Sequence, residues 1–253
     1  MDFTIGTINS DQTGDQRHFD MPKMIFVIGG KHSGTTLTAT ILGANSRCFL
    51  IPKETGAYSK RNIEQLRKPF LRQVKEIDSE FIVEKTPDHV YQIDKIREDW
   101  PTDPIFIVTR NPIDRVGSTM RRHGNWGQSI YECSSDMSAC INAMKYDNTF
   151  LVSYEDIVKN FNPTVQSMCD FAGLKFEESM INFHEHSPIW HEKHLHDDHH
   201  RLRSEQMRTP LFDGTGIGYK ILNEKQINKV ISECGEKYRI LTGKSLTVDG
   251  RLG

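Results

Sequence analysis

The stretch VIGGKHSGTTLTATIL, residues 27–42, decides how this chain is read. A hydrophobic run enters two glycines, passes through Lys31-His32-Ser33-Gly34-Thr35-Thr36, and continues in an apolar pattern of helical spacing. A buried strand that turns through glycines into a helix gathers backbone N–H groups and the positive end of the helix dipole, a ready seat for a phosphate-like anion. In nucleotide triphosphatases such a loop reads G-x-x-x-x-G-K-[ST], with the lysine on the terminal phosphates and the hydroxyl on magnesium. Gly29 and Gly34 fit that frame, but Thr35 stands in the lysine position and Thr36 follows. Lys31 lies earlier, in the body of the loop, and no Walker-type acidic metal ligand accompanies it.

Outward from this loop, β-prone runs alternate with helical patterns. MIFVIG (24–29), FIVEK (81–85), PIFIVTR (104–110) and TFLVSY (149–154) read as strands. A helix is expected from about Thr35, and Val90, Ile93 and Ile96 stand at helical spacing. Asn111-Pro112 is a cap and first-turn pair for a helix carrying Ile113, Val116 and Met120 on one face. Asn162-Pro163 opens another, which Gly173 can end. Asn223 with Gln226 forms a capping box for a last helix ended by Gly243. Ile63, Leu66, Phe70, Val74 and Ile77 are also helically spaced, with Pro69 among them expected to kink or restart the helix. Residues 184–222 show little periodicity and are expected to form a long loop region over the site.

Alternation of this kind implies crossover connections and a parallel sheet covered on both faces. The expected fold is α/β, a P-loop-like three-layer arrangement with a central parallel sheet flanked by helices. It divides into a flexible polar segment, 1–23, and a single domain, 24–253. Ligands bind at the carboxyl ends of strands in open α/β sheets, which gathers Gly29 to Thr36, Glu84-Lys85, Arg110 and Ser153-Tyr154 on one rim.

At 253 residues, 36% hydrophobic and 26% charged, the chain has ordinary globular composition. Its formal net charge of -2 offers no global basic field, which argues against nucleic acid as a partner. No apolar run approaches the ~18 residues of a membrane span, so no membrane partner is expected. The N-terminus lacks the basic-then-apolar pattern of a secretory signal. Five scattered cysteines without a C-x-x-C pair read as free thiols. These features together lead to an expected cytoplasmic setting.

Lys31, Ser33, Gly34, Thr35 and Thr36 resemble the phosphosulfate loop of the sulfotransferases that use 3′-phosphoadenosine 5′-phosphosulfate (PAPS). In that family an arginine at a strand end and a serine eight residues later hold the 3′-phosphate. TRNPIDRVGS supplies this pair as Arg110 and Ser118. The resemblance spans about residues 24–160 and implies sulfuryl transfer from PAPS to a hydroxyl or amine, leaving 3′-phosphoadenosine 5′-phosphate (PAP), with no metal required. It assigns Gly30, Lys31, His32, Ser33, Gly34, Thr35 and Thr36 to the phosphosulfate, with Lys31 also favouring the transition state. It assigns Arg110 and Ser118 to the 3′-phosphate, and Tyr154, from VSYEDI, to the adenine.

Glu84 and Lys85, in EKTP, resemble the segment of the heparan-type carbohydrate branch in which glutamate is the general base and lysine assists. The Asp88, His89 and Val90 that follow depart from the aromatic residues usual there, and His89 is the alternative base. The expected acceptor is a carbohydrate or small molecule. Its pocket is drawn from residues 53–75, 121–130 and 184–215, with Tyr58, Trp126 and Trp190 as candidate walls. Arg201, Arg203 and Arg208 are candidates for a basic loop returning to the 3′-phosphate or the acceptor. The segment 184–200 holds His184, His186, His191, His194, His196, His199 and His200, read as a solvated loop or as zinc ligands at i, i+3 spacing. Two other functions stay open: a P-loop kinase, which predicts magnesium-dependent ATP binding, and a nucleotide-binding module without turnover.

Overall fold

The computed structural model describes residues 22–190 and 198–248, so the expected polar segment lies outside it up to residue 21. Among the described residues the elements run β1 (Lys23–Gly29), α1 (Thr35–Gly43), β2 (Cys48–Leu50), α2 (Ile63–Val74), β3 (Phe81–Lys85), a 3-10 helix (Pro87–Gln92), α3 (Ile93–Asp99), β4 (Ile105–Thr109), α4 (Pro112–His123) and α5 (Trp126–Ala143). They continue with β5 (Thr149–Ser153), α6 (Tyr154–Lys159), α7 (Phe161–Ala172), α8 (Glu178–Ile181), α9 (Phe183–His186), α10 (Asp198–Met207), α11 (Ile217–Ile221) and α12 (Glu224–Thr242).

The strands form one parallel sheet in the order β2-β3-β1-β4-β5. Strand alternation splits the interior into two layers. Ile25, Val27, Val83, Phe106 and Val108 face α1, α6 and α7. Met24, Phe26, Ile28, Ile82, Ile105 and Ile107 face the side of α2, α3 and α5. A satellite core joins α4, α5, α11 and α12 through Ile113, Cys133, Leu222, Val230 and Tyr238. The three-layer α/β expectation is met.

The start of α1, the Asn111-Pro112 opening of α4, the α12 capping box and the glycine caps at 173 and 243 also agree. Other expectations need correction. Pro69 lies inside α2 and does not restart the helix. The fourth strand stops at Ser153, and Tyr154 already belongs to α6. The helix at Asn162-Pro163 starts one residue earlier, at Phe161. Strand β2 and the 18-residue α5 were not foreseen. The 184–222 region is no single loop, since it holds α10 and α11 and the end of α9.

Candidate active site

Between β1 and α1 the chain makes three left-handed steps. Gly29 has φ 135°, and a Cβ there would lie 2.3 Å from the Val108 carbonyl oxygen on the neighbouring strand. Gly34, at φ 95°, lies so close to the Tyr154 ring that a Cβ would come within 2.8 Å of it. His32 adopts φ 61° without glycine's freedom, a strained conformation that persists only where its surroundings fix it. The helix that follows has no side-chain cap and no acidic residue in its first turn, so its leading amides and dipole are left to a ligand.

These amides open onto a cavity of about 890 Å³ lined by Lys31, His32, Gly34, Thr35 and Thr36. Ser33 is buried beneath the loop, and Gly30 packs against Ser33 and Arg115. Lys31 Nζ sits 3.0 Å from Asp88 Oδ1, both side chains half-exposed. Partial burial pulls its ammonium pKa down, but Asp88, with Asp136 and Glu132 behind it, outweighs this and raises it, so Lys31 is a full cation.

Arg110, Ser118 and Tyr154 line the same cavity. The Arg110 guanidinium lies 4.3 Å from the Tyr154 ring centroid and donates to Gly214 O at 2.7 Å and His32 O at 3.4 Å. Its Nε is buried and meets no acceptor among the described residues, a fork left partly unsatisfied at the cavity wall. Glu155 fixes the turn behind it by accepting the Asn111 N–H at 2.9 Å. A strap of residues 212–216 closes this corner. Buried Asp114 anchors it, accepting the N–H groups of Gly216 at 2.8 Å and Gly218 at 2.7 Å. Asp114 and the lining Lys220 escaped the sequence reading, while Arg121, Arg122, His123 and Gly214, which also line the cavity, fall within the 121–130 and 184–215 segments drawn for the acceptor pocket.

Glu84 and His89 do not line the cavity. Each is fully buried, because β3 lies between β1 and β2 and is covered at its end by residues 54–58 and the 3-10 helix. His89 Nε2 accepts the Tyr58 N–H at 3.0 Å, which leaves Nδ1 as the protonated nitrogen, 3.2 Å from Glu84 Oε2. Glu84 Oε1 accepts the hydroxyls of Thr86 at 2.6 Å and Thr55 at 2.8 Å. Burial alone would raise its pKa, but His89 and these hydroxyls outweigh it and hold the carboxyl below the usual range. Lys85 is also fully buried. Its Nζ lies 2.6 Å from Glu54 Oε1 and 5.0 Å from the Trp190 ring centroid.

The carboxylate that does line the cavity on this side is Glu54, which the sequence reading placed in the acceptor pocket with residues 53–75 without giving it a role. Glu84 holds its neighbour Thr55, and Lys85 holds Glu54 itself.

None of the candidate walls lines the cavity. Tyr58 is buried in the core with its hydroxyl on Asp99 at 2.7 Å, and Trp190 is buried with Nε1 on Thr40 Oγ1 at 3.2 Å. Trp126 opens α5 and packs on the α4–α12 core. Of the basic candidates, exposed Arg201 pairs with Glu205 and exposed Arg208 is absent from the lining. The Arg203, His199 and His200 side chains, and all of His191, His194 and His196, lie outside what the structure describes. Among the described residues no group of three His, Cys, Asp or Glu side chains gathers to hold a metal. No helix among them is long and apolar enough to cross a membrane.

A family model described as "Sulfotransferase family" matches residues 57–178, a span that holds β3, Arg110 and Ser118 and begins after the anion loop. No curated protein matches the chain in sequence. Among solved structures, the sulfotransferase domain of the Synechococcus PCC 7002 olefin synthase aligns with TM-score 0.54 at 15% identity, over 83% of this chain and 98% of that one. The sulfotransferase domain from the curacin biosynthetic pathway aligns with TM-score 0.55 at 16% identity, over 88% and 97%. A mouse sulfotransferase complexed with PAP aligns with TM-score 0.54 at 14% identity, over 87% and 84%. At these identities the structural likeness is one of fold.

Proposed function

We propose that the chain is a sulfotransferase, as the family model over residues 57–178 supports, and that it transfers a sulfuryl group from PAPS to a hydroxyl or amine of a carbohydrate or small-molecule acceptor. The observation that carries this reading is that two anion stations share one cavity. The loop of Lys31 and the leading amides of α1 form one, and Arg110 with Ser118 the other, with Arg110 bonded to the loop through His32 O at 3.4 Å. A donor carrying a 5′-phosphosulfate and a 3′-phosphate presents two anionic groups to match. The residues fit it: uncapped amides, an unsatisfied guanidinium N–H and the Tyr154 ring beside it.

In this reading Lys31 and the amides of Thr35 and Thr36 stabilise the negative charge that grows on the leaving phosphate as the sulfuryl group passes in line to the acceptor. Arg110 and Ser118 fix the far end of the nucleotide, where a planar guanidinium suits a phosphate dianion. Glu54 takes the acceptor proton. Its place in the cavity supports this role over Glu84 and His89, which are fully buried and do not line it. Lys85 and Glu84 are then positioning residues for Glu54.

Calorimetric titration of PAP and of ATP, each with EDTA or with magnesium, tests the donor in wild type and Arg110→Ala. Metal-independent binding of PAP, weakened in the variant, is the expected result. Magnesium-dependent binding of ATP with indifference to a 3′-phosphate would return the loop to the kinases.

A further inference from the structure

Beneath the anion loop lies a buried ion pair that the proposed chemistry does not use. Arg115 on α4 and Asp136 on α5 are nearly inaccessible and bonded to each other. Both also reach the backbone of Lys31. Arg115 Nε donates to Lys31 O at 2.7 Å, and Asp136 Oδ2 accepts the Lys31 N–H at 3.3 Å. Lys31 N, Asp136, Arg115 and Lys31 O thus close a ring around one residue of the loop. Two outer contacts brace it: Arg115 Nη1 donates to Cys133 O at 3.2 Å, and the Tyr91 hydroxyl donates to Asp136 Oδ1. The guanidinium packs so close under the loop that a Cβ on Gly30 would lie 2.9 Å from Arg115 Nη1.

We propose that Arg115, Asp136 and Tyr91 are positioning residues that clamp the backbone of Lys31 and so preset the loop for the 5′ end of the donor. This rests on the sulfotransferase reading for the identity of the ligand, though not for the mechanics of the loop.

Three physical points favour a positioning role over a purely structural one. A buried ion pair gains little stability over a well-packed apolar pair, because desolvating two charges offsets their attraction, so its specific geometry is the better reason to keep it. The clamped residue immediately precedes His32, whose left-handed backbone needs its neighbours fixed. The 3-10 helix Pro87–Gln92 holds Lys31 at both ends, with Asp88 on its ammonium and Tyr91 on the carboxylate that binds its amide. The cationic tip and the main chain of Lys31 are therefore referenced to one turn, beside the segment that carries Glu54.

The test uses the full chain with Arg115→Met, Tyr91→Phe and the double variant Arg115→Met/Asp136→Leu, which removes both buried charges so that neither is left unpaired. Amide hydrogen exchange of the ligand-free protein, read on peptides covering residues 27–36, reports the loop directly. Calorimetry then compares PAP with adenosine 3′-monophosphate, which lacks the 5′ group the loop would hold. The clamp predicts faster loop exchange in the folded double variant, with PAP binding weakened about 10- to 100-fold and the 3′-monophosphate within about threefold of wild type. Loop exchange and PAP affinity as in wild type would overturn it, as would equal weakening for both nucleotides in step with a general loss of stability. If wild type binds neither nucleotide, the proposed donor fails, while the exchange result still decides the clamp.

Discussion

Replacing Glu84 by glutamine separates a buried structural carboxylate from a general base. In the structure Oε1 accepts hydroxyls from Thr86 at 2.6 Å and Thr55 at 2.8 Å, while Oε2 faces the protonated Nδ1 of His89 at 3.2 Å. Every neighbour is a donor. A carboxamide brings an NH₂ group into this ring, so one N–H must point at another donor with no water to turn to. Leaving a buried donor unsatisfied and losing a charge-assisted bond together cost about 2–4 kcal/mol. For a chain of this size that lowers the melting temperature by roughly 5–15 °C.

The pH dependence has a definite sign. The folded pKa of Glu84 lies below its ordinary value of 4.5, despite the burial that opposes this, because His89 and the two threonines favour the anion. The stabilising contribution is therefore present in full above the unfolded pKa and is lost as pH falls through the lower folded value. Thermal unfolding of wild type and Glu84→Gln between pH 7 and pH 3 should show a gap that is widest near neutrality and narrows in acid. Melting temperatures within about 2 °C at pH 7, or a gap that does not change with pH, would refute the reasoning and restore Glu84 as an accessible base.

Two further substitutions probe the cavity. Glu54→Gln should lower PAPS turnover by about 10²- to 10⁴-fold, the usual worth of a positioned general base, while calorimetric affinity for PAP stays within about twofold of wild type; retained turnover would remove Glu54 from the chemistry. Gly34→Ala places a methyl 2.8 Å from the Tyr154 ring at φ 95°, where an L-residue is strained by about 1–2 kcal/mol, so PAP binding should weaken about 5- to 30-fold; unchanged affinity would show that the loop and Tyr154 do not meet as described.

The elements legible in the sequence are those whose signals are local. Strands β1 and β4 are nearly continuous apolar runs, and β3 starts as one in Phe81–Val83, because both faces of a central parallel strand are covered. The Asn111-Pro112 start of α4 and the Asn223/Gln226 box of α12 are side-chain devices that need no tertiary information. Helix α5 was harder to see because its buried stripe includes Cys133, Asp136 and Cys140 beside Met137, and a charged residue in the stripe masks the period until Arg115 is known to meet it. Pro69 does not restart α2, whose Phe70 and Val74 are buried just beyond it. Trp190 looked like a cavity wall because large aromatics often line pockets, yet its partners, Thr40 and Lys85, lie 150 and 105 residues away in the chain and no local pattern links them.

The choice of Glu84 as the base rests on a sheet of four strands. The rule that ligands gather at the carboxyl ends of parallel strands was applied to four strands, and on β3 it selected Glu84-Lys85. It holds for the fifth as well. β2 is only Cys48–Leu50, too short to show a period, but its chain continues from the same edge and delivers Glu54 to the cavity. Adding β2 outside β3 turns β3 into an interior strand, which buries both Glu84 and Lys85 and changes what they can do. A buried anion and a buried cation at consecutive positions point to opposite faces of the sheet. One bonds the hydroxyl of Thr55 and the other the carboxylate of Glu54, so the pair that reads as catalytic also holds the loop that follows β2. Activity lost on substitution at Glu84 or Lys85 would for that reason not identify a base, and the stability of each variant has to be measured beside its turnover.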